Sequence, residues 1–324
     1  MELTVAASAL RFGSLVSSLP GGVAQGLIWG IMALGVYITF RLLDVADLSV
    51  DGTFTLGGVL SVMLIAGGTN PWLALLISVL AGMVAGFITG ILHTRFGIPA
   101  ILAGILTQFA LFSVNLRIAE GKANVGFPRG MEKLVASADL SQTFLVGGLI
   151  ALVLVAAYYW YFGTEQGAAI RATGSNPAMS RAQGINIDTM KVIGLALSNG
   201  VVALSGALMM HFQGFSDINM GRGAIVIGLA AVIIGEVLCD AIFRKGTEFW
   251  VRLLFVLVGG VVYYVVMTLI LWLKLNPNDL KLFTAILVAV FLAVPYLQGQ
   301  RSSSFLLAGR QSAARRKAMQ KEGE

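Results

Sequence analysis

Long runs of apolar residues dominate the pattern along the chain and predict membrane-spanning helices. A helix needs roughly 17–25 mostly apolar residues to cross the hydrocarbon core of a bilayer. Nine segments approach that length, at 21–41, 53–67, 71–92, 98–117, 143–163, 191–212, 223–241, 249–273 and 282–298. Because 53–67 is short for a straight crossing, the pattern predicts an all-α, polytopic bundle of eight to nine spans with one short or broken segment near 42–67.

The two ends of the chain differ from this bundle. Residues 3–19 are apolar but contain Arg11 and scattered serines, which is typical of a helix lying at the membrane interface. The C-terminal stretch after residue 298 is rich in Lys and Arg. We therefore expect an external interfacial helix at 1–20, a transmembrane domain at 21–298 and a basic cytoplasmic tail at 299–324.

The distribution of positive charge predicts the orientation of the bundle. Short cytoplasmic loops carry an excess of Lys and Arg. Placing the loop 164–190 and the C-terminus inside puts most of the 22 Lys and Arg residues inside. With an odd number of spans, the N-terminus then lies outside.

Composition excludes several classes of protein. Only 12% of the residues are charged and 57% are hydrophobic, whereas ordinary globular chains carry roughly 25% charged residues. A cytosolic enzyme, a secreted disulfide scaffold and a disordered protein are therefore excluded. The net charge of +6 does not require a nucleic acid partner, because a basic tail can face an anionic inner leaflet.

Groups suited to catalysis or metal binding are sparse. The two histidines, His93 and His211, fall at opposite ends of their spans, and a bilayer core of about 30 Å separates those levels. A metal site built from them and Cys239 is therefore not expected, and the chain has no GxxxxGK[ST] phosphate loop. We expect no catalytic residue, no metal and no cofactor in this chain, so ATP and Mg²⁺ would be bound by another polypeptide.

The polar residues near mid-depth of the spans are neutral. They are Thr107, Gln108, Ser198 and Asn199. Proton- or sodium-driven carriers usually place ionisable groups at this depth, so the pattern argues against such a carrier but not against a passive channel. These side chains either hydrogen-bond between helices or line a pathway, and the sequence leaves both interpretations open.

Glycines at every fourth position predict close contacts between helices. Gly82, Gly86 and Gly90 form one such series, and a second series of Gly22, Gly26 and Gly30 lies in the first span. A face of this kind lets the backbone of another helix approach closely.

The segment 41–58, RLLDVADLSVDGTFTLGG, predicts a break in the membrane domain. Asp44, Asp47 and Asp51 would share one face of a continuous helix, but the DLSVDG composition favours a turn, with a shorter helix starting near Thr53. Non-helical backbone at membrane depth is stable only where it is buried in protein or lines a water-filled cavity. The segment is therefore either part of a transport pathway or an ordinary cytoplasmic hairpin.

The polar stretch 164–190 predicts a short capped helix between two spans. Asn176 is a favourable N-cap residue, and Pro177 suits the first helical position. Gly184 can adopt the left-handed stop, and Ile185 can fold back behind it. This segment, 175–184, is either a rigid protrusion carrying Arg181 or a simple connecting loop.

These segments resemble the membrane permeases of ABC importers, in the group that includes the ribose and branched-chain amino acid permeases. DLSV at 47–50 resembles a ribose permease signature, and the stretch 167–191 is similar to the cytoplasmic region of that group. Within the group, 35–58, 92–107 and 113–118 look like permeases described as tryptophan/tyrosine transporters. The run from Glu236 to Asp240 departs from the small, glycine-rich turn of the ribose permeases.

The resemblance implies a machine of several subunits in the bacterial inner membrane. Two permease copies would enclose the pathway, two ATPase subunits would dock inside, and an external binding protein would deliver the solute. In the family, the helix matching 175–184 seats in a groove of the ATPase. The resemblance therefore assigns ATPase coupling to Arg171, Gly174, Ser175, Asn176, Pro177, Met179, Arg181 and Gly184.

The expected solute is small, polar and amino-acid-like, with aromatic amino acids among the candidates. The candidate pathway residues are Asp47, Ser49, Asp51, Thr53, Gln108, Asn115 and Asn199. We expect Asp47 and Asp51 to act by capping backbone N–H groups rather than by contributing charge to a substrate site. A passive facilitator, or an importer of the same type for a sugar or nucleoside, remains the alternative.

Overall fold

The computed structural model describes residues 12–128, 130–131, 133–243, 248–273, 282–286, 288–290 and 293. The described part of 12–273 forms ten α-helices and one two-stranded antiparallel ribbon. The helices are α1 (Phe12–Tyr37), α2 (Val50–Ala66), α3 (Pro71–Thr94), α4 (Ala100–Ile118), α5 (Leu140–Gly163), α6 (Glu165–Ser175), α7 (Pro177–Ala182), α8 (Ile187–Gln213), α9 (Ala224–Ile242) and α10 (Phe249–Trp272). The strands are β1 (Asn124–Gly126) and β2 (Phe215–Asp217).

The predicted all-α, polytopic membrane bundle is confirmed. Within the described residues, seven helices are long and apolar enough to cross a membrane, namely α1, α3, α4, α5, α8, α9 and α10. The predicted ninth segment, 282–298, lies only partly within the described residues, and its described parts, 282–286, 288–290 and 293, are helical. The exact number of spans and the orientation of the bundle remain predictions.

The first helix begins earlier than the apolar pattern predicted. α1 starts at Phe12 and contains Pro20, so no boundary separates residues 12–20 from the first span. A proline removes one backbone hydrogen bond, but contacts with α10 hold this part of α1: Trp272 Nε1 donates to Ser14 Oγ at 3.2 Å. Residues 1–11 of the predicted interfacial helix lie outside the described residues, as does the predicted tail at 299–324.

The glycine series produce close contacts between helices, as the sequence predicted. A Cβ at Gly86 would overlap the carbonyl oxygen of Leu195 in α8, and a Cβ at Gly82 would overlap Asn199 of the same helix. In the same way, a Cβ at Gly26 would lie 2.7 Å from the Cα of Val261 in α10. The α3–α8 and α1–α10 pairs are therefore held at backbone-to-backbone distance.

The predicted break between the first and second apolar segments is also confirmed. α1 ends in a single π-helical turn, Ile38–Leu42, and residues 43–49 are irregular before α2 begins at Val50. α2 has 17 residues, which corresponds to about 26 Å, and most of its residues are buried. The short segment is thus the central helix of the bundle.

The connections between helices gather at two ends of the bundle. β1 and β2 follow α4 and α8, and we call this end the ribbon face. α5 crosses from there to the segment containing α6 and α7, at the end that we call the α7 face. As predicted, the histidines lie at opposite ends: His211 packs beside Phe127 near the ribbon, whereas His93 Nε2 lies 3.2 Å from Lys191 Nζ at the α7 face.

Candidate functional site

A buried hydrogen-bond network fixes the break to α8. Asp47 is 2% exposed, and its Oδ1 accepts hydrogen bonds from the backbone nitrogen of Ser49 at 2.9 Å and from Ser49 Oγ at 2.6 Å. Its Oδ2 accepts from Asn199 Nδ2 at 2.7 Å. A buried carboxylate is tolerated only when its lone pairs are satisfied, so this network explains how a charged residue stays at the centre of the bundle.

The chain around the break also packs against α4. Residues 43–49 alternate between buried and exposed side chains, with Leu43, Val45, Asp47 and Ser49 buried. Asp44 faces outward with a φ of 54°, so the three aspartates do not share one face. A Cβ at Gly104 would lie 2.6 Å from the Leu48 nitrogen, which shows that α4 runs directly against the break.

Asp51 caps a different helix from its own. Its Oδ2 accepts from the backbone nitrogen of Gly223 at 3.0 Å, and its Oδ1 accepts from that of Ile225 at 2.9 Å. Gly223 occupies the N-cap position of α9 and has no side chain to cap it, so the carboxylate from α2 takes over that task. The N-terminal ends of α2 and α9 therefore meet at one negative charge, which their helix dipoles stabilise.

A cavity of about 290 Å³ lies beside Asp51. Its wall is formed by α2, α4 and the loop before α9, through Asp51, Gly52, Thr55, Gln108, Phe109, Phe112, Asn115, Ile218 and Arg222. Asn115 is 1% exposed and donates through Nδ2 to the Gly52 carbonyl oxygen at 3.1 Å. Its Oδ1 has no hydrogen-bond partner in the described part of the chain, which leaves a buried acceptor at the cavity.

The structure divides the predicted pathway residues into two groups. Asp51, Gln108 and Asn115 line the cavity. Asp47, Ser49 and Asn199 form the buried network, and Thr53 Oγ1 donates to the Ser49 carbonyl oxygen at 3.1 Å within it.

Two other neutral residues near mid-depth bond between helices. Thr89 Oγ1 bonds Thr107 Oγ1 at 2.9 Å, and Ser198 Oγ donates to the Gly35 carbonyl oxygen at 2.7 Å. Of the mid-depth polar residues singled out in the sequence, Gln108 alone therefore lines the described cavity.

The short helix in the polar stretch has the ends that the sequence predicted. Asn176 Oδ1 accepts from the Met179 nitrogen at 3.0 Å, and Pro177 is the first helical residue. At the other end Gly184 has a φ of 83°. The nitrogens of Gly184 and Ile185 donate to the carbonyls of Arg181 and Ser180, each at 3.0 Å, which is the pattern of a Schellman motif.

This helix projects from the bundle. Every residue of α7 is exposed except Ser180, and Met179 is 61% exposed. The exposed surface includes the predicted coupling residues Ser175, Asn176, Pro177, Met179, Arg181 and Gly184. A six-residue helix is not stable by itself in water, so its two caps and its anchored flanks are what hold it in shape.

α6 joins α7 to the chain that precedes the break. A Cβ at Gly174 would overlap the carbonyl oxygen of Leu42 and would lie 2.8 Å from the Cα of Leu43. The guanidinium carbon of Arg171 lies 5.9 Å from the centre of the Phe249 ring at the start of α10, which is within cation–π range. Two predicted coupling residues therefore serve to attach α6 to the bundle.

Acidic residues of the run 236–240 form ion pairs at the α7 face. Arg41 Nε lies 2.7 Å from Glu236 Oε1, and Arg252 lies 3.7 Å from Asp240. These pairs connect the π-helical turn, α9 and α10 at the end of the bundle near the break. The acidic residues Glu236 and Asp240 thus make charged contacts between helices.

Six cavity residues were not identified as pathway residues from the sequence: Gly52, Thr55, Phe109, Phe112, Ile218 and Arg222. Thr55 Oγ1 accepts from the Gly221 nitrogen at 3.1 Å. Arg222 was not singled out in the sequence, although its position between Gly221 and Gly223 indicates a turn in the chain. The aromatic residues have the same appearance in sequence as any lipid-facing side chain.

Comparison with known proteins agrees with this architecture. A family described as "Branched-chain amino acid transport system / permease component" matches residues 18–295. The chain is 39% identical over 278 residues to the tyrosine transport system permease protein of Clostridioides difficile, covering 86% of this chain and 91% of that protein. It is also 31% identical over 272 residues to an uncharacterised protein of Rickettsia prowazekii, covering 83% and 94% of the two chains.

A more distant relative has a different described role. An autoinducer 2 import system permease protein of Yersinia pseudotuberculosis is 29% identical over 215 residues, covering 66% of this chain and 60% of that protein. No solved structure matches the chain at a significant level.

Proposed function

The chain belongs to the family of permease components of branched-chain amino acid transport systems, and from that membership we propose that it is the membrane subunit of a binding-protein-dependent ABC importer. It works as a homodimer in the bacterial inner membrane. Two separate ATPase subunits bind at the α7 face, which is cytoplasmic, and an external binding protein delivers the solute at the ribbon face.

The observation that carries this proposal is the connection from α7 to the break. α7 is exposed and capped at both ends, so a partner protein can bind it as a preformed helix. α6 directly precedes α7 in the chain, and its Gly174 packs against Leu42 and Leu43. A push on α7 therefore reaches residues 43–49, which the Asp47 network joins to α8.

The solute is small, polar and amino-acid-like. This assignment is supported by the description of the 39% identical relative as a tyrosine transport permease. It is also supported by the cavity beside Asp51, which combines charged, amide and aromatic side chains. Because a more distant relative is described as an autoinducer 2 import permease, an importer of the same type for another solute, such as a sugar or nucleoside, is the second candidate.

The proposal is tested by disabling the exposed surface of α7 in the complete importer. Ala178→Trp combined with Arg181→Glu changes two exposed side chains without altering the caps or the attachment of α6. We expect ATP-dependent uptake into proteoliposomes to be lost while the thermal stability of the permease is unchanged. The matched control, Ala178→Ser with Arg181→Lys, keeps size and charge and should retain uptake.

Two outcomes would contradict the proposal. Uptake that persists unchanged in the Trp/Glu variant would mean that α7 is not the site of coupling. Transport by the purified chain alone in liposomes, without nucleotide, would show a passive facilitator instead.

A further inference from the structure

The cavity beside Asp51 contains two opposite charges that do not pair with each other. Asp51 and Arg222 both line its wall, yet within the described residues neither forms a salt bridge. Asp51 is held by the N-terminus of α9, whereas the guanidinium of Arg222 is exposed. Opposite charges that lie near each other and remain separate are suited to a ligand that carries both.

A third polar group points to the same kind of ligand. The Oδ1 atom of Asn115 is buried and unpartnered, and the Nδ2 bond to Gly52 fixes the amide orientation. An unpaired buried acceptor costs free energy until a donor reaches it. An ammonium group is such a donor, and it could bond Asn115 Oδ1 and the Asp51 carboxylate together.

The remaining wall is aromatic. Phe109 and Phe112 of α4 line the cavity and are 72% and 44% exposed, so their rings are available for contact. Aromatic pairs are favourable beyond the area that they bury. The volume of about 290 Å³ is at the lower limit of ligand pockets, roughly 300–1,000 Å³, which suits one small solute.

We infer that this cavity is a low-affinity site for the zwitterion of an α-amino acid with an aromatic side chain. The guanidinium of Arg222 binds the carboxylate, Asn115 Oδ1 and Asp51 accept from the ammonium, and Phe109 and Phe112 contact the ring. A neutral sugar carries neither an ammonium group for Asp51 nor a carboxylate for Arg222, so the site discriminates against it. The inference rests on the proposed function, since it names the solute of the same importer.

The test measures binding to the permease alone, in nanodiscs, by saturation-transfer difference NMR at millimolar ligand. The probes are L-tyrosine, tyramine, 3-(4-hydroxyphenyl)propionate, L-alanine and D-ribose. We expect L-tyrosine to bind most tightly, the analogues lacking the carboxylate or the ammonium to bind at least about tenfold more weakly, and D-ribose not to bind. A tenfold change is the expected effect of one charge-assisted hydrogen bond.

Variants connect this selectivity to the cavity. Arg222→Gln should raise the dissociation constant of L-tyrosine about tenfold or more and leave that of tyramine unchanged. Phe109→Leu should raise the dissociation constant of L-tyrosine but not that of L-alanine. Arg117→Gln removes an exposed arginine of α4 that does not line the cavity. This control should leave the dissociation constant of L-tyrosine unchanged.

The inference about the cavity and the proposed function can be refuted separately. Equal binding of L-tyrosine and tyramine, preferred binding of D-ribose, or an unchanged dissociation constant in Arg222→Gln would each overturn the inference about the cavity. If ATP-dependent uptake of a solute persists in the complete importer at the same time, the proposed function stands and only the site is wrong.

Discussion

The contact between α6 and the chain before the break gives the sharpest prediction about coupling. In Gly174→Ala, the new Cβ would overlap the Leu42 carbonyl oxygen and lie 2.8 Å from Leu43 Cα. Carbon atoms in contact are normally about 3.5–4.0 Å apart, so α6 must move outward by roughly 1 Å. Inserting a methyl group into a close contact of this kind costs about 1–3 kcal/mol.

The matched control is a glycine in a helix without a close neighbour. Gly148 lies in α5, and a Cβ there would meet no atom within 4 Å. Gly148→Ala carries the general preference of helices for alanine, up to about 1 kcal/mol, without the overlap. The difference in unfolding free energy between the two variants therefore isolates the steric cost at Gly174.

The assay compares thermal unfolding with coupling in the same proteoliposomes. We expect Gly174→Ala to unfold at a lower temperature than Gly148→Ala, by about 2–4 °C for each kcal/mol. In the complete importer assembled with Gly174→Ala, we also expect the ATPase subunits to hydrolyse ATP with reduced solute uptake per ATP. If the two variants share the same unfolding temperature and the same uptake per ATP, α6 is not in force-bearing contact with the break.

Three further predictions concern caps and packing. Asn176→Ala should remove the cap of α7, at a cost of about 0.5–2 kcal/mol. Hydrogen exchange at 177–182 should then accelerate, and less ATPase should co-purify with the permease. Asn176→Ser keeps a capping side chain and should leave both the exchange rate and the co-purification unchanged. In thermal unfolding without ligand, Asp51→Asn should be less destabilising than Asp51→Leu, which leaves the Gly223 and Ile225 N–H groups without their acceptor at a cost of about 1–3 kcal/mol; equal losses of stability would contradict the capping role of Asp51. Gly86→Leu should lower the unfolding free energy of the bundle by about 1–3 kcal/mol, because the new side chain would overlap α8. An unfolding temperature equal to that of the wild-type chain would contradict the α3–α8 contact.

Local signals in the sequence predicted much of the fold. Uninterrupted apolar runs predicted the spans because a helix in lipid must carry apolar side chains along its whole length. The four-residue glycine series predicted close helix contacts. Asn176, Pro177 and Gly184 predicted both ends of α7, because capping depends on residues only a few positions apart.

The partners of these elements followed from the tertiary structure alone. The sequence could not show that the glycine series of α3 faces α8, or that Asn199 bonds Asp47, since those residues are far apart in the chain. The early start of α1 at Phe12 was hidden by Pro20 and Arg11, because contacts with α10 compensate for an unfavourable local residue.

For the candidate site, too, the sequence predicted some features and the tertiary structure decided the others. The sequence by itself determined that the chain is an apolar helical bundle with a short or broken segment near 42–67 and a capped helix within 175–184. Only the tertiary structure placed Asp51 at the start of α9 and brought Asn115 and Arg222 to one cavity. The physical reason is that apolar periodicity and capping act within a few residues, whereas a cavity arises from side chains on separate helices whose contacts depend on how the whole bundle packs.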